Sequence, residues 1–224
     1  MESTVLDISA LFAGVPAEEL NGILEEVPHH IQRYDKGDAV FHLMEDANRV
    51  GLILEGRVQA QKPFPNGSQI NVSVRNPGSM IGPAAVFSRN HKYPCDVVAL
   101  EPSVIMMFRR EDILLLLQKD LRIMRNFMAE LATAAAILQE RLELLSYSGI
   151  AQKAAFYLLI HAQRSGKSSV RIPESVSNWA MIMNVSRSSL HRELKKLEDD
   201  GIIAYTPPMV KIRDEAALQD VLGK

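Results

Sequence analysis

The sequence predicts an α+β chain in three consecutive parts: a small antiparallel β sandwich or barrel, a long helix, and a compact helical module closed by two short strands. Three observations predict it. Residues 28–110 alternate short Val- and Ile-rich runs with turn signals at regular spacing, as a small sandwich or barrel does. Residues 111–147 switch to helical period, with an apolar residue every three or four positions. Residues 175–213 carry two short helical stripes parted by one Asn, then two strand-like runs around Pro207-Pro208.

Each part can be justified in order. Within residues 5–27, Pro16 suits the first turn of a helix, where its missing N–H costs nothing, and Glu18 and Glu19 suit the positive end of the helix dipole. Leu20, Ile23 and Leu24 have helical spacing and would face inward. In the β region, VGLILEGRVQAQ (50–61) reads as two strands hinged at Gly56, and KPFPNGSQI (62–70) as a hairpin tip turned by Asn66-Gly67. Leu117, Leu121, Met124, Met128, Leu131, Ala135, Leu138, Leu142 and Leu145 then step alternately by four and three. That is an a/d seam over four heptads, and such a narrow seam pairs with a second helix of its kind. The expected homodimer interface is Met124, Met128, Leu131, Ala135, Leu138 and Leu142. Packing of the seam on its own domain is the alternative. Ser146-Tyr147-Ser148-Gly149 interrupts the pattern, with Gly149 as a plausible hinge. The expected domains are 1–110, 111–147 and 148–224.

The charge distribution is informative only locally. The 224 residues are 47% hydrophobic and 23% charged, with a net charge of −2, so nothing global calls for a polyanionic partner. Yet within NVSRSSLHRELKKLEDDGII (184–203), residues 187–196 set Arg187, Arg192, Lys195 and Lys196 against a single Glu193, a local charge of +3. The stretch parses as a motif. Ser175 can cap a helix burying Trp179, Ala180 and Ile182 or Met183. Asn184 tolerates the left-handed conformation of a tight turn. Val185 can plug the gap between helices, and Ser186 can cap the next one, whose buried stripe is Leu190, Leu194 and Leu197. Two short helices, a tight turn and a basic second helix make a helix-turn-helix, which places the N-terminal residues of its second helix in the DNA major groove. Arg187 is the expected base reader, since guanidinium matches guanine O6 and N7. Arg192, Ser188, Ser189 and His191 are expected at bases or phosphates, and Lys195 and Lys196 at phosphates. IIAYTPPMVKIR (202–213) reads as a wing whose Lys211 and Arg213 add phosphate contacts.

Taken in this order, the parts resemble the cyclic-AMP receptor protein/fumarate–nitrate regulator (CRP/FNR) superfamily of bacterial transcription factors. The resemblance covers nearly the whole chain and rests on YDKGDAVF (34–41), LILEGRV (52–58), GSMIGPAAVF (78–87) and NVSRSSLHRELKKLEDDGII (184–203). It implies an N-terminal β-roll sensor, cupin-like and of the cyclic-nucleotide-binding-domain type, then a long dimerisation helix and a C-terminal winged helix-turn-helix. It further implies a cytoplasmic homodimer on a palindromic site, an unknown small-molecule effector, RNA polymerase as a partner, and activation as the commoner outcome. In the family, positions matching Arg187, Ser188 and Arg192 read bases, and many members have Glu where Ser188 stands.

The resemblance also locates an effector pocket at Met80, Gly82, Pro83, Ala84, Tyr93, Pro94 and Cys95. Cyclic-nucleotide binders carry a ribose-holding Glu where Pro83 stands and a phosphate-pairing Arg-Ser where Tyr93-Pro94 stands, so this chain lacks the anchors for cyclic AMP. With one cysteine, Cys95, a cysteine-ligated iron–sulfur sensor is excluded. Other members bind haem, and His29, His30, His42, His91, Met44 and Met80 are residue types that ligate its iron, though each also suits surface or core packing. No dedicated metal site is read. The sequence offers no catalytic constellation: G-x-S-x-G, a phosphate loop and His-Glu-x-x-His are all missing. A regulatory or ligand-binding protein acting through a protein partner is the rival reading; the basic helix favours DNA. No apolar run is long enough to span a membrane.

Overall fold

The computed structural model describes residues 5–6, 8–63, 69–173 and 175–223. The chain divides into two compact units, Met1–Ala134 and Ala135–Lys224. The Asn66-Gly67 turn expected from the sequence lies outside the described residues.

The first unit is a β-roll with a helical lead-in. Helix α1 (Ala17–Glu26) buries Leu20 and Leu24. Pro16 stands just outside it as the capping residue rather than inside its first turn. The strands are β1 (His30–Tyr34), β2 (Ala39–Phe41), β3 (Arg49–Glu55), β4 (Val58–Pro63), β5 (Gln69–Arg75), β6 (Met80–Ile81), β7 (Asp96–Ala99) and β8 (Ser103–Arg109), with helix α2 (Pro83–Phe87) between β6 and β7. They form two four-stranded sheets, ordered β1-β8-β3-β6 and β2-β7-β4-β5, antiparallel throughout. Gly56 turns the chain between β3 and β4 at φ +79°, and a Cβ there would lie 2.5 Å from the Pro102 carbonyl oxygen. β8 does not alternate: all six residues from Ser103 to Phe108 are buried. Both its faces are covered, one by the roll interior and the other by helix α3 (Arg110–Lys119), and a strand buried on both sides reads as a continuous apolar run.

The helical segment expected to run unbroken over 111–147 is two helices. Asp120 adopts extended angles (φ −144°, ψ 125°) and ends α3; α4 (Leu121–Ser146) starts beyond it. The Asp120 carboxylate accepts the Arg122 backbone N–H at 2.7 Å, occupying one of the orphan donors of a helix start. Arg122 also pairs with Glu19, and Lys119 with Glu26. Asn126 donates to the Leu11 and Ala13 carbonyls at 3.0 and 2.9 Å. These contacts strap the start of α4 to the lead-in. Leu117, the first member of the heptad seam, therefore lies in α3 and is buried in the roll core. In α4 the roll takes Ile123 and Phe127 as fully buried residues, with Met124 and Leu131 half-buried against it.

The second unit follows the expected winged helix-turn-helix. Its helices are α5 (Ile150–Ser165), α6 (Val176–Ile182), α7 (Arg187–Asp199) and α8 (Glu215–Leu222). The strands β9 (Ser169–Arg171), β10 (Ile203–Thr206) and β11 (Met209–Ile212) form one sheet in the order β10-β11-β9. Trp179, the chain's single tryptophan, is fully buried at the centre of this core with Leu158, Leu190, Leu194, Ile203 and Val210. Gly149 caps α5 at an ordinary φ of −86°. A Cβ there would approach Gln152 Oε1 to 2.9 Å, while the Gly149 N–H donates to that same oxygen at 3.0 Å. Its use here is close approach to a capping side chain, not left-handed freedom.

Candidate nucleic-acid interface

The turn between α6 and α7 is built as its residue types require. Ser175 accepts the Asn178 N–H at the start of α6. Asn184 takes φ +55°, and the Val185 N–H reaches back to the Ala180 carbonyl at 2.9 Å. Of the two residues weighed for burial beside Trp179 and Ala180, Met183 is the buried one and Ile182 is half-buried. Lys153 on α5, which no local sequence pattern marks, donates to the Met183 carbonyl at 3.1 Å and satisfies an orphan acceptor at the end of α6.

Ser186 begins α7 by accepting the Ser189 N–H at 3.0 Å. Its hydroxyl donates to Ser189 Oγ at 2.8 Å, and Ser188 Oγ lies 3.0 Å away. Leu190, Leu194 and Leu197 are buried. Arg187, Ser188, His191, Arg192, Lys195 and Lys196 are exposed on the rest of the helix, as expected from the stripe. Ser189 is half-buried and committed to the cap. Lys196 pairs with Glu193 at 3.1 Å, so part of the local positive charge is answered within the helix. Lys211 and Arg213 are exposed on the wing. Tyr205, absent from the sequence reading, lies beside α7: its backbone N–H donates to Glu198 Oε1 at 2.9 Å, and its ring centroid is 6.5 Å from that of His191.

The expected effector residues cluster in the roll, but two of them have structural tasks. Gly82 takes φ +84° before α2, where a Cβ would meet the Arg49 carbonyl oxygen at 3.0 Å; Pro83 then opens α2. Tyr93 is buried, stacked on Phe41 at 4.2 Å. Its hydroxyl donates to the Arg49 carbonyl at 2.7 Å and accepts the Arg49 N–H at 3.2 Å. Burial pushes the Tyr93 phenol up. Met80 is buried in the core, Cys95 is half-buried, and Ala84 and Pro94 are exposed. Burial, with Asp96 beside it, raises the Cys95 thiol, while Lys62 acts in the opposite sense. Lys92, three residues before Cys95, pairs with Asp46 at 2.7 Å. A cleft of about 440 Å³ lies elsewhere on this unit, lined by Glu45, Asn48, Arg49, Arg109 and Glu111.

Of the residue types that ligate haem iron, His29, His30, His42 and Met44 are exposed. His91 Nδ1 faces Arg110 Nη2 at 2.6 Å. Among the described residues, no group of three or more His, Cys, Asp or Glu side chains could hold a metal ion, and no helix is long and apolar enough to cross a membrane.

Residues 31–120 match the cyclic nucleotide-binding domain family, and residues 152–221 match the Crp-like helix-turn-helix domain family. The chain thus joins a cyclic nucleotide-binding domain to a Crp-like helix-turn-helix domain, as a DNA-binding transcription regulator similar to the CRP/FNR superfamily. Among curated relatives, the cyclic AMP receptor protein of Thermus thermophilus is 24% identical over 216 residues, covering 95% of this chain and 96% of that one. Among solved structures, the catabolite activator protein of Thermus thermophilus aligns with a TM-score of 0.55 at 24% identity, covering 96% of this chain and 99% of that one. A CooA double mutant from Carboxydothermus hydrogenoformans aligns with a TM-score of 0.59 at 16% identity, covering 89% of each chain. At these identities the structural likeness is one of fold. Helix α7 lies within the Crp-like helix-turn-helix match, as the second helix of its turn.

Proposed function

We propose that the protein is an effector-responsive homodimer, without enzymatic activity, that binds a palindromic promoter site in the cytoplasm and activates transcription through contact with RNA polymerase. The observation that carries the dimer is the row of apolar side chains α4 leaves in solvent: Leu121, Met128, Leu138 and Leu142 are each 60% or more exposed, and Ala135 is exposed with them. Two such rows laid together bury each other. Met124 and Leu131 stand half on this seam and half on the roll core. Two recognition helices held about 34 Å apart then enter successive major grooves. Arg187 reads a base; Ser188, His191 and Arg192 contact bases or phosphates; Lys195, Lys196, Lys211 and Arg213 contact phosphates. Ser189 contributes through the cap.

The effector acts on the stretch Met80, Gly82, Pro83, Ala84, with Pro94 and Cys95 at its margin, and shifts the packing of α4. Cyclic AMP does not suit it. Pro83 offers no acceptor to a ribose, and the hydroxyl of Tyr93 is already shared between the Arg49 N–H and carbonyl. A gel shift on duplex DNA over rising salt tests the DNA reading: affinity falls steeply as released counterions compete. Salt-independent binding, or none at low ionic strength with any effector, overturns it.

A further inference from the structure

We propose that Tyr205, on the wing, is a positioning residue for Arg187: its ring walls the base-reading guanidinium into the orientation used on DNA. The proposal rests on the reading of Arg187 as a base contact and deepens it.

The strand register places the ring. Ile203 pairs with Ile212 and Tyr205 with Val210 in the β10–β11 ladder, and residues two apart share a face. Ile203, Val210 and Ile212 are buried on that face, which packs on α7. Tyr205 is its outermost member and half-buried. The Glu198 carboxylate fixes the Tyr205 backbone at 2.9 Å, so the strand cannot slide along α7 without losing that bond. From there the ring stands 6.5 Å from the His191 ring, at 65° to it. Arg187 lies four residues before His191, on the same flank of the helix. Burial raises the Tyr205 phenol above its ordinary range, and the positive charge of Arg187 acts on it in the opposite sense. Phenol, imidazole and guanidinium thus share one edge of the recognition helix.

An exposed arginine has many rotamers to lose on binding. A rigid aromatic wall removes some of them in the free protein, and pre-organisation of this kind strengthens the contact without adding one. The strengthening applies only where the guanidinium must be oriented, at a base pair, and not where any cation near a phosphate suffices.

The probe is a duplex enriched by the full-length protein from a randomised palindrome pool, set against a random-sequence duplex of equal length. Tyr205→Ala weakens binding to the enriched duplex about tenfold, a loss typical of one mispositioned base contact, and leaves the random duplex within about twofold. It also flattens preference at the base pair whose selectivity Arg187→Ala abolishes. Tyr205→Phe, which keeps the ring and its packing, retains both affinity and preference. In the Arg187→Ala background, Tyr205→Ala costs nothing more, as coupled residues require. Equal losses on both duplexes, additive losses in the double variant, or a Phe variant as impaired as the Ala variant each overturn the positioning role. If Arg187→Ala itself weakens both duplexes equally, or no sequence is enriched, the underlying base-reading assignment fails instead.

Discussion

Leu138→Ala is the sharpest probe of the proposed dimer. Leu138 is 60% exposed on α4. The change removes three carbons, worth roughly 2.4 kcal/mol if taken fully out of water at about 0.8 kcal/mol for each. Three-fifths of that burial is still available on pairing, or about 1.4 kcal/mol per chain. A symmetric dimer loses it twice, so dimerisation weakens by about 3 kcal/mol, roughly a hundredfold in Kd. Ile137 supplies the control, because it is 59% exposed one residue along but sits off the seam. Ile137→Ala should shift Kd by no more than about threefold, the range of a surface change away from any contact. Sedimentation equilibrium across a dilution series reads both. Equal shifts for the two variants mean that α4 presents another face; no shift for Leu138→Ala means that the exposed row has some other use.

Three further outcomes are expected. Arg187→Ala weakens preferred-site binding by about 1–3 kcal/mol and relaxes preference at one base pair, measured by competition with single-base variants; equal loss on random DNA makes Arg187 a phosphate contact. Tyr93→Phe withdraws a hydroxyl that serves both backbone groups of Arg49 and destabilises the roll by about 1–3 kcal/mol in chemical denaturation; an unchanged midpoint shows that those groups find other partners. His161 is depressed below its ordinary 6.5, chiefly by burial, with Glu140 opposing and Arg164 reinforcing. Its unfolded form takes up a proton first as pH falls, so the C-terminal unit loses stability from about 6.5 downward and keeps it above. Fluorescence of Trp179 follows this, and His161→Gln should flatten the slope; an unaltered slope removes His161 as its source.

The reader module was largely legible in the sequence because its determinants are local. A cap serine, a left-handed Asn and a leucine stripe act within a few residues of one another, and Ser186, Asn184 and Leu190, Leu194 and Leu197 take those places. The apolar row along α4 was legible for the same reason, but the break at Asp120 was not. Nothing in a heptad count distinguishes an aspartate on a helix from one that ends it, and the decision is made by Arg122 and Glu19, about a hundred residues apart. Tyr93 and Tyr205 were missed or misplaced because their work depends on pairing across the fold. Tyr93 closes onto Arg49, and Tyr205 reaches α7 only once β10 and β11 are in register. Long-range pairing leaves no period in the sequence to read.

The first turns of α4 offer the proposed sensor a route to the proposed dimer that needs few polar groups. Positions 124 and 131 lean on the roll while 121, 128 and 135 stay in solvent, so one helix serves the roll core and the seam with residues one position in three or four apart. Phe127, buried between them, meets Phe87 edge-to-face at 5.5 Å. Phe87 ends α2, the helix that Gly82 and Pro83 begin. A ligand that displaces α2 therefore bears on a packed aromatic pair, and close-packed interiors answer such displacement by moving whole elements rather than by yielding. On the proposed reading the element that moves is α4, and its exposed row moves with it. Coupling by this route requires no charged anchor in the proposed pocket, only volume beside α2, which fits a stretch that has Pro83 and Tyr93 where a cyclic nucleotide would need a carboxylate and a guanidinium.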